Sequence, residues 1–542
     1  MTPGSRFSTT PTPLLTTSDF RQTKSQHIIR KSYNTLAIPV ILLSGFLREP
    51  LFHCLHAEVN RSCNLLYRQT LLIEVLRRHL SLFFPTLCMT FCTAFCIAFI
   101  SQIFHHFTHF AHSLRIFLQI PGLFGKDLKI HIIGTGAVEV IRVSVEYGEK
   151  CESGEVLMKI SQAVNSITPS LTRELFNLAQ EYDDVIDLTL GDPDIQPDDR
   201  IKEAACVAIR EGKTRYSANA GLVEFRKVIS EQFEKEYEIK VAPERNVIVT
   251  VGGMEALYLS LRCLIDEGDE VIIPAPYYVN YAQMVRSCGG IPVIVNTSEE
   301  SGFVVSASQI KEAITSKTVA MILNSPCNPT GQILGLDTLQ ELAAIAVQYD
   351  LAVISDEVYK SLVYTSSPYR SIATFNGMKE RTIVVDSLSK RFAMTGYRIG
   401  YAIGPDNIIA SMIKLQENVA ACAALPSQYA GIAAYKYCAN DKWIAGIFEK
   451  RCKSMSAAIN KIENISCLEP VATFYLFVNI QNTKMDSITF ARQLLKQQHV
   501  AVAPGITYGD AYDGFVRIAC TLKEEILLEA CDRIAKFVKE IH

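Results

Sequence analysis

Residues 384–403 read VVDSLSKRFAMTGYRIGYAI: a run of β-branched apolar residues, then one lysine, one arginine and several small residues. The run predicts a buried strand, and the small and charged residues after it predict the loop that leaves it. Lys390 is read as the amine that holds a carbonyl cofactor as a Schiff base. A lysine does this only as the free amine, so its site must desolvate it or surround it with positive charge to lower its pKa. Arg398 offers a planar fork to a phosphate, and Ser387 and Ser389 offer hydroxyl donors to the same group. Gly396 and Gly400 leave room for backbone to pass close to a ligand. Taken alone, a lysine after a strand is as readily an exposed turn residue, so the reading depends on the rest of the chain.

With 542 residues, 49% of them apolar, and a net charge of −3, the chain is long enough for two or three domains with large cores and implies no nucleic-acid partner. The average hides a division. Nine of the eleven histidines lie at or before His131, and no Asp or Glu occurs between Glu74 and Asp127. Residues 1–157 are therefore read as an N-terminal extension and 158–542 as a separate catalytic part. The sixteen cysteines show no CxxC pair or regular framework and read as small buried apolar residues in a reducing compartment, the cytoplasm. Cys88, Cys92, Cys96, His105, His109 and His112 have helical spacing, but one straight helix would spread them over about 36 Å, so no metal site is expected.

From Leu80 to Phe104 there is no acidic or basic side chain, a run long enough to cross a bilayer as a helix. Two readings of it are a membrane anchor and a helix buried against the catalytic part. A third is upstream sequence that is not normally translated. The segment from 130 to 157, with Gly148 and Gly154 at turns, weakly resembles a lipoyl-type β-domain but lacks a modifiable lysine in the expected hairpin.

Further stretches can be read from the residues themselves. Leu171–Tyr182 reads as an amphipathic helix with Thr168 as N-cap and Pro169 at the first helical position, Glu270–Ile273 as a strand, and VAMILNSPCNPTGQI (319–333) as a buried strand ending at Asn324 before a proline-rich turn. VIVTVGGMEALYLSLRCLI (247–265) is a buried strand, a glycine pair and a helix. Free N–H groups around Gly253 and Met254, at the positive end of that helix, suit a phosphate. LAVISDEVYKSLVY (351–364) delivers Asp356 at the carboxyl end of a strand, where ligands collect in open α/β sheets. A carboxylate there against a pyridine nitrogen would keep that nitrogen protonated.

The order SxSKxxxxxGxRxG at 387–400 resembles the cofactor lysine segment of the class I aminotransferases, pyridoxal phosphate enzymes of fold type I, related to aspartate aminotransferase. Other family-like motifs occur in order across essentially all of 158–542, and Met158 opens MKISQAVNSITPSLTRELF, similar to the start of many bacterial members. The resemblance implies pyridoxal phosphate on Lys390, with Asp356 at its ring nitrogen. It places Tyr359 and Asn328 on the phenolic oxygen and Tyr278, from PAPYYVNY, over the ring. Gly253, Met254, Ser387 and Arg398 surround the phosphate. Tyr216 of GKTRYSANAGLVEFR would reach the partner subunit's cofactor phosphate, making a homodimer part of the active site. For the substrate it implies Gly191, Asn328 and Arg517, whose fork would grip the α-carboxylate. Met254 departs from similar aspartate enzymes that carry lysine there, which puts aspartate preference in doubt.

The implied fold is α/β. A large domain of about 205–430 would hold a mostly parallel seven-stranded sheet between helices, and 158–204 with 431–542 would form a smaller α+β domain. The implied reaction moves an amino group from an L-amino acid to a 2-oxo acid with ping-pong kinetics. A β-eliminating carbon–sulfur lyase is the alternative within the same chemistry. A transcription regulator with an aminotransferase-like domain is the alternative outside it, although no compact basic helix-turn-helix pattern lies upstream.

Overall fold

The computed structural model describes the strands 128–135 and 138–145, and then residues 159–165, 167–168, 171–366 and 369–541. The apolar run 80–104 and the cysteine and histidine series within and after it lie outside these residues. By its internal contacts the chain divides into Met1–Leu157 and Met158–His542. In the first unit Leu128–Thr135 and Val138–Val145 pair antiparallel, with Thr135 opposite Val138. Among the described residues no helix is long and apolar enough to cross a membrane.

The second unit is built on seven strands: Val247–Thr250 (β1), Glu270–Ala275 (β2), Ile291–Asn296 (β3), Thr318–Asn324 (β4), Ala352–Asp356 (β5), Thr382–Ser387 (β6) and Gly400–Ile403 (β7). Their order across the sheet is β1-β7-β6-β5-β4-β2-β3. Only β7 runs antiparallel to its neighbours, so the mostly parallel seven-stranded sheet expected from the sequence is present. Strands such as VIVT and TIVVDS are buried throughout. That is the composition a parallel sheet covered on both faces requires. Successive residues go to opposite layers: Val271 and Ile273 join one core with Ile322 and Ile354, while Ile272 joins the other with Met321, Leu323 and Val353.

The carboxyl ends of the central strands are polar. Asn324 pairs with Asp356, and Asp356 with Val385 on the strand that runs into Lys390. The alternation of apolar residues therefore sets three strands in register and leaves their polar ends side by side.

A four-stranded antiparallel sheet, in the order Ser466–Cys467, Tyr475–Asn479, Phe515–Ala519, Ala503–Pro504, makes the second layer system. The helices Trp443–Ile459, Ser487–Gln498 and Glu524–Glu540 pack on it. Ile186–Asp187 pairs parallel with Val500–Ala501, which anchors the segment before Gly191 to the C-terminal part. The helices Asp199–Arg210 and Leu425–Cys438 pack on each other and run across the positions 204/205 and 430/431 where the sequence suggested domain breaks.

Two local boundaries are corrected. The helix expected at Leu171–Tyr182, capped by Thr168, spans Leu171–Ala179. Thr168 N–H donates to Gln283 Oε1, and residues 180–182 tighten into i to i−3 turns after the helix. Strand β2 runs two residues beyond the expected Ile273.

Candidate active site

Lys390 stands in a single helical turn, Leu388–Arg391, that leaves β6. Ser387 caps that turn: its hydroxyl accepts from Ser389 N–H at 3.2 Å and contacts Ser389 Oγ at 2.9 Å and Ile399 O at 3.2 Å. The lysine is carried into the interior, where Nζ donates to Gly191 O and lies 5.6 Å from the centre of the Phe474 ring. Burial pushes its pKa down to about 8; the Asp192 carboxylate opposes the shift, and Arg517 and Arg398 add to it.

Around it lies a cavity of about 700 Å³. Its lining includes Lys390, Asp356, Tyr359, Asn328, Tyr278, Gly253, Met254, Ser387, Arg398, Gly191 and Arg517. Tyr216 does not line it: the side chain is 85% exposed, on the loop ahead of the helix Val223–Tyr237.

Asp356 ends β5 in the cavity wall. Its carboxylate accepts from Tyr281 Oη–H at 2.6 Å and from Val358 N–H at 3.3 Å. Among the described residues it has no ion pair. Burial raises its pKa to about 6, against the two hydrogen bonds that lower it. A buried carboxylate without a counter-charge is costly unless a cation arrives from a ligand.

Arg517 lies at mid-strand in Phe515–Ala519, 5% exposed. Nη1 donates to Asn328 Oδ1 at 3.0 Å, Nη2 donates to Thr189 O, and the guanidinium lies 4.4 Å from the Tyr475 ring centre. Nε has no partner. Asn328 is itself placed by its N–H donating to Asn324 Oδ1 at 2.9 Å, at the end of β4.

The end of the cavity beside Arg398 has its own geometry. The helix Gly252–Leu264 begins there, and Arg398 lies across its start with a left-handed φ of 50°, Nη1 donating to Thr395 O at 2.9 Å. A Cβ on Gly400 would lie 2.7 Å from the backbone of Gly252 and Gly253, so the glycine lets β7 pass against the helix start. Four donor groups thus surround one end of the cavity: the helix N-terminus, Arg398, Ser387 and Ser389.

Tyr278 accepts from Asn280 Nδ2 at 3.0 Å and is pushed up to about 12 by burial. Met254 Sδ takes a weaker contact from the same amide at 3.7 Å. Tyr359 Oη lies 3.1 Å from Tyr475 Oη. A Cβ on Gly191 would lie 1.9 Å from Tyr475 Oη, so only glycine lets this loop reach Lys390.

Sequence reasoning did not assign Tyr281, Tyr475, Tyr508 or Asp192. Tyr281 was in view beside Tyr278, and its helical position three residues on was the available signal. Tyr475 and Tyr508 come from the small sheet and the turn Gly505–Tyr508, and no local spacing relates them to residue 390.

The residues present suit pyridoxal phosphate. An amine of lowered pKa, an uncompensated buried carboxylate, an arginine with a free buried Nε and a cluster of phosphate donors share one cavity. The model of the family described as aminotransferase class I and II matches residues 183–534. The chain is 39% identical over 386 residues to an aspartate aminotransferase of Pyrococcus abyssi, covering 71% of this chain and 99% of that one. It is 37% identical over 388 residues to aromatic-amino-acid aminotransferase 2 of Thermococcus litoralis, covering 71% and 99%. Among solved structures, the Thermus thermophilus aspartate aminotransferase with maleate superposes with a TM-score of 0.67 at 34% identity, over 70% of this chain and all of that one (100%). The aromatic aminotransferase of Pyrococcus horikoshii gives 0.64 at 38%, over 68% and 99%.

Proposed function

Because this chain belongs to the class I and II aminotransferases, we propose that its residues divide the work of amino transfer in one cavity: Lys390 as catalytic amine, Asp356 as the acid that holds the cofactor ring, Arg517 as the grip on the substrate. The chain is a pyridoxal phosphate-dependent aminotransferase acting on an amino acid and a 2-oxo acid. When bound, the cofactor supplies a carbonyl carbon for amine exchange and a ring that accepts the electron pair left when a Cα proton departs. Lys390 holds and returns that proton, a task suited to an amine whose pKa burial has brought down to about 8. Asp356, with Tyr281 fixing its orientation, presents the charge that keeps the ring nitrogen protonated. Asn328 and Tyr359 take the phenolic oxygen, Tyr278 the ring face, and Gly253, Met254, Ser387 and Arg398 the phosphate.

The observation that carries this division is the placement of Arg517. Its guanidinium is buried and aligned by Asn328 and Thr189, and the residue lines the same cavity as Lys390. Replacing Arg517 with leucine is expected to lower kcat/KM for amino donors about 10²- to 10³-fold, mostly through KM. Steady-state kinetics with several donors check it; an unchanged KM would remove Arg517 from the substrate site.

The amino donor is proposed to be aromatic or apolar. The cavity lining includes Met254, Leu257, Tyr278 and Leu190. Arg173 lines the same cavity, but position 254, where similar aspartate enzymes carry lysine, is uncharged here. Met254→Lys is expected to shift the ratio of kcat/KM for aspartate over phenylalanine about tenfold toward aspartate. A ratio that does not move would show that position 254 does not read the donor side chain.

A homodimer is part of this reading: Tyr216, exposed on its own subunit, would then complete the partner's phosphate site. Sedimentation giving only single chains at working concentration would contradict it. The structural division is proposed at the helix boundaries, with Asp199–Cys438 as the large domain. The cytoplasm fits the ten free cysteines of the described residues, which persist as thiols in a reducing compartment.

A further inference from the structure

Behind the cavity wall lies a buried set of charges that the chemistry above does not use. Lys360 stands four residues after Asp356, in the turn that leaves β5, and its side chain is 6% exposed. Its Nζ lies 3.0 Å from Asp386 Oδ2 and 3.0 Å from Glu236 Oε2. Asp386 is on β6, four residues before Lys390, and also accepts from Tyr401 Oη–H at 2.7 Å. Glu236, near the end of the helix Val223–Tyr237, turns its other oxygen to Arg391 Nη1 at 2.7 Å. Arg391 is the neighbour of Lys390 in the same helical turn.

The connections therefore join the two segments that carry the chemistry. One runs from the loop after Asp356 through Lys360 to Asp386 at the base of the Lys390 turn. The other runs from Lys360 through Glu236 to Arg391, on the far side of Lys390. Two carboxylates and two cations make these contacts, and a third carboxyl, Glu357, fully buried and accepting from Tyr237 Oη–H at 2.8 Å, also feels the Lys360 charge. Burial alone would raise the Glu236 pKa, but Lys360 and Arg391 overcome it and hold the carboxyl at about 2. A hydrophobic residue at 360 would fill the space as well, and a buried ion set is no stronger than apolar packing on average. What the ions add is direction: each N to O contact is satisfied at one spacing of the two segments.

We propose that Lys360 is a positioning residue for amino transfer: its ammonium ties the loop after Asp356 to both sides of the Lys390 turn and fixes the spacing of acid and amine across the cavity. The inference rests on the roles given above to Lys390 and Asp356.

The test uses the holoenzyme and three variants. Lys360→Met, assayed at a temperature where circular dichroism shows it fully folded, is expected to lose about ten- to hundredfold in kcat with KM within about threefold of wild type. Its cofactor dissociation constant, read from loss of the visible absorption band on dilution, is expected to rise by about tenfold. Lys360→Arg, which keeps the charge, is expected to recover most of both. Should Lys360→Met not fold, the double variant Lys360→Met with Asp386→Asn removes one charge of each sign and leaves the Glu236–Arg391 pair intact. That variant is expected to fold and to keep the defect, because the tie is still gone. Wild-type kcat in either folded variant, or a defect that Lys360→Arg fails to relieve, overturns the proposal. A wild-type enzyme without a visible band that borohydride removes would instead sink the underlying assignment of Lys390, so the two failures are told apart.

Discussion

Replacing Lys390 with alanine is expected to lower kcat for amino transfer by about 10⁴-fold or more, with the protein folded and its thermal midpoint little changed. The size reflects an amine that has no substitute. In the described residues Lys390 is the lysine that lines the cavity, and its Nζ donates to Gly191 O with Phe474 beside it. Burial, helped by Arg517 and Arg398, brings its pKa down to about 8. At pH 7 roughly one amine in ten is then free, against about one in three thousand for an ordinary lysine, a gain of about three-hundredfold in reactive form. Capture of added cofactor by the cofactor-free enzyme should accordingly rise about tenfold per pH unit below 8 and level off above it. Stopped-flow measurement of the visible band against pH checks this. A profile still rising steeply at pH 10 would mean that the amine is not depressed.

Asp356→Asn is expected to lower kcat about 10²- to 10³-fold while the donor KM stays near its wild-type value. The amide keeps the shape and can still accept from Tyr281 Oη–H, so what is lost is the charge. The same charge is a burden in the cofactor-free fold. Burial raises the Asp356 pKa from 3.8 to about 6. A carboxyl whose pKa is higher folded than unfolded stabilises the fold below pH 3.8 and loses that contribution as pH rises through 6. At pH 8 the penalty is about 3 kcal/mol. The cofactor-free Asp356→Asn protein should thus melt several degrees above wild type at pH 8, with the difference closing below about pH 4. Calorimetry at the two pH values decides it. A variant that melts lower at pH 8 would mean that the carboxylate has a counter-charge in the cavity.

How much of this was readable from the chain depends on the reach of each signal. The strand before Lys390, the strand ending at Asp356 and the strand ending at Asn324 announce themselves by short apolar runs with polar ends. Parallel pairing in register then brings those ends together without further information. Arg517 was legible as a residue type in a motif, but its alignment by Thr189 and Asn328 joins positions 328 and 189 residues away. Tyr475 is in the cavity because the small sheet sets it against Tyr359, a contact that no periodicity encodes. Lys360 is not singled out by the sequence. Its burial depends on Glu236 and Asp386 arriving from other elements.

The central claim is that one amine, at position 390, bonds the cofactor and moves the substrate proton. Borohydride reduction of the purified holoenzyme, followed by proteolysis and mass spectrometry, tests it most directly. A single pyridoxyl adduct on the peptide that contains Lys390, with loss of the visible band in proportion, is the predicted result. An adduct on another lysine of the folded enzyme, or an unmodified Lys390 after the band has gone, would contradict it.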